Sequence, residues 1–126
     1  MPVAFAFQEP CTFMVCCSGK VTYDEYQDMR VKLLSDPHPC SGAQMLVDAS
    51  AVTSAPSASE LRIIATDMLP MVARGLGRVA IVASTPMVYG VARMFSVYAE
   101  LVNAKVMPFR CSDEAKDWLA NQTRVQ

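Results

Sequence analysis

Residues Gln44–Leu61, with the sequence QMLVDASAVTSAPSASEL, decide the fold because they join an apolar run to the start of a helix. The run Met45–Val47 ends at an acid, Asp48, and a short run of this kind predicts a buried strand. The small and hydroxylated residues that follow predict a loop. Ser57 and Glu60 have the spacing of a capping box, so we expect a helix to begin at Ser57. The stretch therefore predicts strand, loop and helix, and in open α/β sheets binding sites lie at the carboxyl ends of the strands.

The composition is that of one compact domain spanning residues 1–126. Hydrophobic residues make up 52% of the chain and charged residues 18%, which is enough apolar material for a core. The 11 basic and 12 acidic residues nearly cancel, leaving a net charge of −1. Because nucleic-acid binders and proteins that adhere to anionic lipid need a basic surface, this balance argues against both kinds of partner.

The sequence predicts neither a secretory signal nor a membrane-spanning segment. Met1–Gln8 lacks the basic start and the long apolar run of a signal peptide. No apolar run approaches the roughly 20 residues that span a bilayer. We therefore expect a cytoplasmic protein with no integral membrane segment.

The five cysteines predict buried, reduced thiols rather than a disulfide framework or a zinc site. They form no C-x-x-C pair, and His38 is the one histidine that could join them as a ligand. A redox role for Cys16 and Cys17 is a minor alternative, since adjacent residues on a strand point to opposite faces of the sheet.

Strands and helices alternate along the chain. Apolar, β-prone runs predict strands at Val3–Phe7, Cys11–Cys17, Met45–Val47, Arg78–Ala83 and Lys105–Arg110. Capping residues and a first-turn proline predict that helices begin at Thr22, Ser57, Pro86 and Ser112. The order β-β-α-β-α-β-α-β-α implies an α/β fold with a mixed, mostly parallel sheet, in which the first two strands form an antiparallel hairpin.

Two prolines refine this prediction. Pro70 interrupts the apolar face of the helix that begins at Ser57, so we expect that helix to stop near Leu69 or to kink. Pro108 lies inside the last strand, and because proline cannot donate to a neighbouring strand, we expect this strand at a sheet edge. Met45–Val47 has no polar residue, which favours a central position covered on both faces.

The helix after Pro86 and the methionines suggest an alternative to simple core packing. The apolar face of this helix is predicted to comprise Met87, Gly90, Val91, Met94, Phe95, Tyr98, Leu101 and Val102. The methionines on predicted core faces are Met45, Met68, Met71, Met87, Met94 and Met107. Flexible thioethers fill gaps in cores, and they also line adaptable apolar pockets. An apolar ligand cavity walled by the Met87–Leu101 helix is therefore the alternative.

No catalytic or metal-binding constellation is recognisable in the sequence. A hydrolase triad needs a base, and His38 lies between two prolines in a predicted loop. The acids fall mostly on predicted exposed helix faces rather than in pairs suited to general acid–base work. The sequence therefore predicts a protein that is not an enzyme and that has no cofactor or metal.

Several motifs, in the right order, resemble one family. Val47–Leu61 resembles the segment that follows the central strand of STAS domains, the fold of anti-sigma-factor antagonists. Arg78–Glu100, Val106–Arg110 and Glu114–Leu119 resemble the SpoIIAA-like subfamily, also described as STAS/SEC14-like. The most specific match is Tyr89–Met94, with the sequence YGVARM. The resemblance covers nearly the whole chain and implies the same fold.

The resemblance implies a regulatory domain that binds a protein partner through the Asp48–Ser57 loop and the helix after it. Ser57 falls at the position of the family's phosphoacceptor serine, which makes it the candidate phosphoacceptor. Pro56 stands where the family has an acid, and the Ser-Gly expected after the serine is also replaced. We therefore expect Ser57 to act first as a helix cap, and Asp48 and Ser50 to belong to the same binding surface.

The subfamily is also associated with apolar or lipid-like ligands, so a small-molecule or lipid-binding domain is the alternative function. Tyr89 and Arg93 are four residues apart and share a helix face. Because tyrosine and arginine are enriched at interfaces, we expect them to bind a neighbouring helix or a second subunit, with simple surface decoration as the alternative. A symmetric homodimer is the expected oligomer.

Overall fold

Five strands and five helices form the part of the chain that the computed structural model describes, which is residues 3–8, 12–20, 22–34, 44–54, 57–73 and 75–124. The strands are β1 (Val3–Gln8), β2 (Thr12–Lys20), β3 (Gln44–Ser54), β4 (Val79–Val82) and β5 (Val106–Phe109). The helices are α1 (Tyr23–Leu34), α2 (Ala58–Thr66), α3 (Leu69–Ala73), α4 (Pro86–Glu100) and α5 (Ser112–Arg124). The predicted order is confirmed, with one helix divided in two. The predictions made for Cys11, His38, Cys40 and Pro56 concern residues outside the described part of the chain.

The strands form one sheet in the order β1-β2-β3-β4-β5. β1 pairs with β2 antiparallel, and the other neighbouring strands pair parallel. This confirms the hairpin, the central position of Met45–Val47 and the edge position of the strand that contains Pro108. Each parallel connection moves to the next strand in the same direction, so right-handed crossovers place α1, α2, α3 and α4 on one face of the sheet.

Both faces of the sheet are covered by helices. Phe13, Met45 and Val79 are register partners and form the core beneath α1–α4. Leu46 and Ala80 are register partners on the opposite face and pack against α5. Since Met45 is 5% exposed and Leu46 is 4% exposed, the first part of β3 is buried on both sides.

Helix α5 is fixed to its face of the sheet by polar as well as apolar contacts. The buried Gln44 side chain donates from Nε2 to the carbonyl oxygen of Leu119 at 2.8 Å. The Arg78 guanidinium donates to the carbonyl oxygen of Trp118 at 2.7 Å and lies 4.7 Å from the centre of its ring. Trp118 also contacts Phe109, with ring centres 5.6 Å apart. These contacts join α5 to three neighbouring strands or their ends.

The prediction of a loop directly after Asp48 is wrong, because β3 continues to Ser54 and β2 continues beside it to Lys20. Two register shifts in this pairing leave extra residues on β3. At the first shift, Asp48 Oδ1 accepts hydrogen bonds from the backbone N–H of Ser50 at 3.0 Å and from its hydroxyl at 2.6 Å. Near the second, Gly19 has a φ of 64°, in the left-handed region that favours glycine. The small hydroxylated residues therefore form a bulged strand rather than a loop.

Pro70 divides the helix that begins after Ser57. Helix α2 ends at Thr66 and α3 begins at Leu69. In a continuous helix the nitrogen of residue 70 would donate to the carbonyl of Thr66, but proline has no proton there and its ring would contact that carbonyl. The predicted interruption is confirmed. Helix α2 ends at Thr66, the residue whose carbonyl group Pro70 cannot bond to.

The buried face of α4 differs from the predicted face. Val88, Ala92 and Ala99 are buried, whereas Met87 is 51% exposed and Leu101 is 77% exposed. Of the predicted face, Val91 and Phe95 line the cavity and Val102 packs against the core. The prediction from the spacing of the large residues is therefore right for these three and wrong for Met87 and Leu101, because the centre of the buried face is formed by small residues.

The methionines divide between core and surface. Met45, Met68 and Met71 are buried, as predicted, whereas Met94 is only partly buried. Met87 and Met107 are exposed, so their predicted core positions are wrong. The buried methionines lie between the sheet and the α2–α3 segment.

Candidate functional site

Polar side chains meet at the carboxyl edge of the sheet, where β3 and β4 end. Asp48 and Ser50, both predicted binding residues, are exposed on the bulged part of β3. Ser84 follows β4, and its hydroxyl donates to the carbonyl oxygen of Ser50 at 3.0 Å. Sequence reasoning missed Ser84. Its position directly after a parallel strand could have identified it, because such strands end at the same edge of the sheet.

Ser57 caps α2, as the sequence predicts. Its hydroxyl oxygen accepts from the backbone N–H of Glu60 at 3.3 Å, and the Glu60 carboxylate accepts from the backbone N–H of Ser57 at 3.0 Å. Ser57 is exposed and has extended backbone angles, with φ −67° and ψ 166°. The hydroxyl is thus held at the start of a helix while its surface remains accessible to solvent.

Tyr89 is placed beside Arg110. Its ring is partly buried against the apolar cluster that contains Val52 and Val88, and the Arg110 guanidinium lies 5.2 Å from the ring centre. Arg93 is exposed, and its carbonyl oxygen accepts from the Ser96 hydroxyl at 2.6 Å. Arg110 directly follows β5, so it belongs to the same sheet edge as Ser84. Its cation–π contact with Tyr89 joins α4 to this edge.

A second arginine–aromatic contact connects α2 with α4. The Arg62 guanidinium lies 5.7 Å from the centre of the Tyr98 ring. Val97, which precedes Tyr98 on α4, is 59% exposed, and Leu101, the C-cap of α4, is 77% exposed. Arg62 and the exposed Ile63 belong to the same helix as Ser57, so α2 presents both polar and apolar groups to solvent.

An apolar cavity of about 160 Å³ lies between the sheet and the helices. Its floor comes from β2, β3 and β4 and includes Val15, Val47 and Ile81. Its other walls come from α1, the α2–α3 segment and α4, including Tyr26, Leu61, Met68 and Ala92. Cys17 and Tyr26 supply the polar groups among the lining side chains. The predicted cavity walled by the Met87–Leu101 helix is therefore present, although Met87 and Leu101 themselves are exposed.

The two adjacent cysteines occupy opposite sides of β2. Cys17 lines the cavity and is partly buried, whereas Cys16 is exposed. Burial chiefly, and the neighbouring Cys16 and Asp48 to a smaller extent, together raise the pKa of the Cys17 thiol from its ordinary value of 9.0 to about 11. Cys111 is also exposed, so the prediction of buried thiols is wrong for Cys16 and Cys111. The Cys17 thiol is neutral at physiological pH and therefore behaves as a small apolar group in the cavity wall.

The described residues contain no group of three or more histidine, cysteine, aspartate or glutamate side chains that could hold a metal ion. In the same part of the chain, every helix is too short or too polar to cross a bilayer. A cytoplasmic location and a homodimer stay predictions.

The raised pKa of Cys17 predicts that the protein loses stability in alkaline solution. The folded state holds the thiol proton more tightly than the unfolded chain, so this stabilising effect is complete below the ordinary pKa of 9.0. It is lost as the pH rises toward about 11, with a slope of up to about 1.4 kcal/mol per pH unit in the free energy of unfolding. Urea denaturation of wild type and Cys17→Ala across this range measures the effect.

The Cys17→Ala variant serves as the matched reference. Every other ionisable group is the same in the two proteins, so the difference between their stability curves isolates Cys17. The substitution enlarges the cavity and lowers stability at every pH, and the predicted difference lies in the slope. Parallel curves for the two proteins would contradict the burial of a neutral thiol.

Comparisons with known proteins identify the fold. No protein-family model matches the sequence, and no curated protein matches it. An uncharacterised DUF3478-family protein with a SpoIIAA-like fold, from Shewanella loihica PV-4, is similar at 16% identity and a TM-score of 0.60, covering 93% of this chain and 91% of its own. The anti-sigma factor antagonist SpoIIAA in its unphosphorylated form is similar at 17% identity and a TM-score of 0.63, covering 94% of this chain and 96% of its own. The chain therefore has the SpoIIAA-like fold, which is the fold that the STAS resemblance implies.

Proposed function

We propose that this chain is a non-enzymatic regulatory domain that binds a protein partner through the segment Asp48–Ser57 and helix α2. The observation that carries the proposal is the exposed hydroxyl of Ser57, which a capping box fixes at the exposed N-terminal end of α2. Ala58 and Ser59 are exposed beside it, and Ile63 on the next turn is 49% exposed. SpoIIAA, which has the same fold, is described as an anti-sigma factor antagonist with an unphosphorylated form. That description supports a protein partner and regulation by phosphorylation here.

The contacts of Ser57 explain how a phosphate would act as a switch. A phosphoserine carries about −1.5 to −2 charges at neutral pH, and the start of a helix favours a negative charge. The Glu60 carboxylate, however, lies 3.2 Å from the Ser57 hydroxyl oxygen. Like charges at this distance repel, so phosphorylation displaces Glu60 and breaks the reciprocal bonds of the capping box. The modification thus changes the surface at the start of α2 without removing a core contact.

The variant Ser57→Asp is expected to weaken partner capture while leaving the fold intact. Aspartate is itself a good N-cap, so the melting temperature should remain close to that of wild type. The added carboxylate places a negative charge beside Glu60, as a phosphate would. Immobilised wild type and variant are compared by capture from a lysate of the source organism, with quantitative mass spectrometry of the bound proteins.

Ser59→Asp provides the matched control, because Ser59 is exposed in the same helical turn but does not cap α2. Its capture profile should resemble that of wild type more closely than that of Ser57→Asp. Identical profiles for wild type and Ser57→Asp would exclude the switch. Failure of wild type to retain any protein above the blank resin would count against the partner proposal itself.

The cavity supports a second candidate function, the binding of a small apolar molecule. A dry cavity of about 150 Å³ lined by aliphatic and aromatic side chains is known to bind benzene or xenon. The cavity here is about 160 Å³ and has a similarly apolar lining. Its size suits a neutral molecule with about the bulk of benzene, or one end of a longer apolar chain. A charged group would lose its hydration there without gaining a partner.

Toluene is the probe for this second candidate. Titration of wild type, followed by amide NMR shifts, is expected to perturb residues that line the cavity, such as Ile64 and Val88. Ala92→Leu places three further carbons in the cavity wall and should weaken the binding at least severalfold. Gly90→Ala is the control, because a methyl group there enters open space on the exposed side of α4. The absence of shifts in wild type near toluene saturation would rule the candidate out.

A further inference from the structure

The cavity is bounded on one side by two elements that a polar contact holds together. Tyr26 of α1 and Met68 of the α2–α3 junction both line the cavity. The next residue along α1, Gln27, donates from Nε2 to Asp67 Oδ2 at 2.8 Å. Asp67 directly precedes Met68, so this hydrogen bond joins α1 to the α2–α3 junction beside the cavity. We name this contact region between α1 and the α2–α3 junction the α1 seam.

Tyr23 completes the polar contact at the α1 seam. Its hydroxyl donates to Asp67 Oδ2 at 3.5 Å, and the Gln27 amide also donates to the Tyr23 hydroxyl oxygen. All three side chains are partly exposed to solvent. One carboxylate oxygen thus receives two donors from successive turns of α1.

A second seam, between α2 and α4, also bounds the cavity, and the contacts across it are apolar. Leu61 and Ile64 of α2 and Val88 and Ala92 of α4 are buried and line the cavity together. Opening this seam would expose their apolar surface to water, which is unfavourable in proportion to the area exposed. At the α1 seam, Met68 is buried but Tyr26 is already partly exposed, and the hydrogen bonds to Asp67 can be replaced by hydrogen bonds to water. Opening this seam therefore exposes less buried apolar surface and changes the free energy less.

Asp67 also lies at a break between two helices. Asp67 and Met68 form the turn between α2 and α3, where Pro70 interrupts the helical hydrogen bonds. Met68 is an unbranched side chain that can adopt several rotamers, so it can move aside without leaving a fixed void. The α1 seam therefore combines a break between helices with a flexible side chain at the cavity wall.

We propose that the α1 seam is the entrance to the cavity and that the hydrogen bonds of Asp67 to Gln27 and Tyr23 form the latch that holds it closed. Access to the cavity is then set by an opening equilibrium at this seam, while the α2–α4 seam stays closed. The proposal goes beyond the second candidate function, because it concerns the route into the cavity and holds whichever neutral molecule enters.

Cys17 reports on the opening, because its thiol lines the cavity. In a chain whose other cysteines are replaced by serine, the rate of modification by methyl methanethiosulfonate, a small neutral thiol reagent, measures access. Asp67→Ala removes the acceptor and is expected to raise this rate about fivefold or more, the effect of losing one ordinary hydrogen bond from the closed state. Asp67→Asn keeps an acceptor oxygen and should stay closer to the wild-type rate.

Three controls separate a local latch from a general loss of stability. Cys16 is exposed, so its rate in the matching single-cysteine chain should be the same with and without Asp67→Ala. Asp117→Ala removes an exposed acid from α5, on the far side of the sheet, and should leave the Cys17 rate unchanged. Leu119→Ala weakens the core beneath α5 and lowers global stability without touching the seam.

The comparison of Asp67→Ala with Leu119→Ala decides between the two explanations. A larger increase in the Cys17 rate for Asp67→Ala, at equal or higher stability against urea, supports the latch. An unchanged rate in Asp67→Ala overturns the proposal. An equal or larger increase in Leu119→Ala also overturns it, because the thiol would then be reached by global unfolding. None of these outcomes depends on toluene binding, so failure of the latch and failure of the second candidate function are distinguishable.

Discussion

The burial of β3 on both faces is the constraint on which the rest of the structure depends. Met45 faces the core beneath α1–α4, and Leu46 faces α5. A strand of this kind needs a neighbour on each edge and a helical layer on each side, because unpaired backbone groups and exposed apolar side chains both raise the free energy of the fold. β2 and β4 are the neighbouring strands, and the helices of the parallel crossovers, α1–α4, form one of the two layers. The opposite layer is α5, whose position is fixed by the hydrogen bonds from Gln44 and Arg78.

The same strand positions the candidate site. β3 carries Asp48 and Ser50 to the carboxyl edge of the sheet, and its end at Ser54 brings the chain to Ser57 and α2. Helix α2 then has two different sides. Its exposed start presents Ser57 to solvent, whereas Leu61 and Ile64 line the apolar cavity beneath it. The proposed partner surface and the cavity therefore share one short helix, which ends shortly before Pro70.

The sequence predicted the features that depend on a single residue's covalent chemistry or on a local spacing. The capping box of Ser57, the interruption at Pro70 and the edge position of the strand with Pro108 all follow from such local rules, and the structure confirms each of them. The extension of β3 beyond Asp48 could not be predicted in this way. It depends on pairing with β2, and residues that are neutral or turn-prone in isolation adopt a strand when a neighbour supplies the hydrogen bonds.

Two aspects of the site lay beyond sequence reasoning for related reasons. The spacing of large apolar residues identified only part of the buried face of α4, because the centre of that face is formed by small residues such as Ala92 and Ala99. The contact between Tyr89 and Arg110 joins residues from different elements, and only the register of β4 with β5 brings them together. Local patterns identified where polar residues fall along the chain, and the sheet determined which of them meet.

The most direct test of the central position of β3 is amide hydrogen exchange across residues 44–54, followed by mass spectrometry of overlapping peptides. A bulged strand paired with β2 as far as Ser54 predicts that peptides covering residues 51–54 exchange more slowly than an unstructured chain. They should exchange faster than peptides covering Met45–Val47, which pair with strands on both sides. Exchange of residues 51–54 at the rate of an unstructured chain, with protection confined to Met45–Val47, would contradict it. The segment would then be a loop, and Ser57 would no longer be held at a fixed position beside the sheet edge.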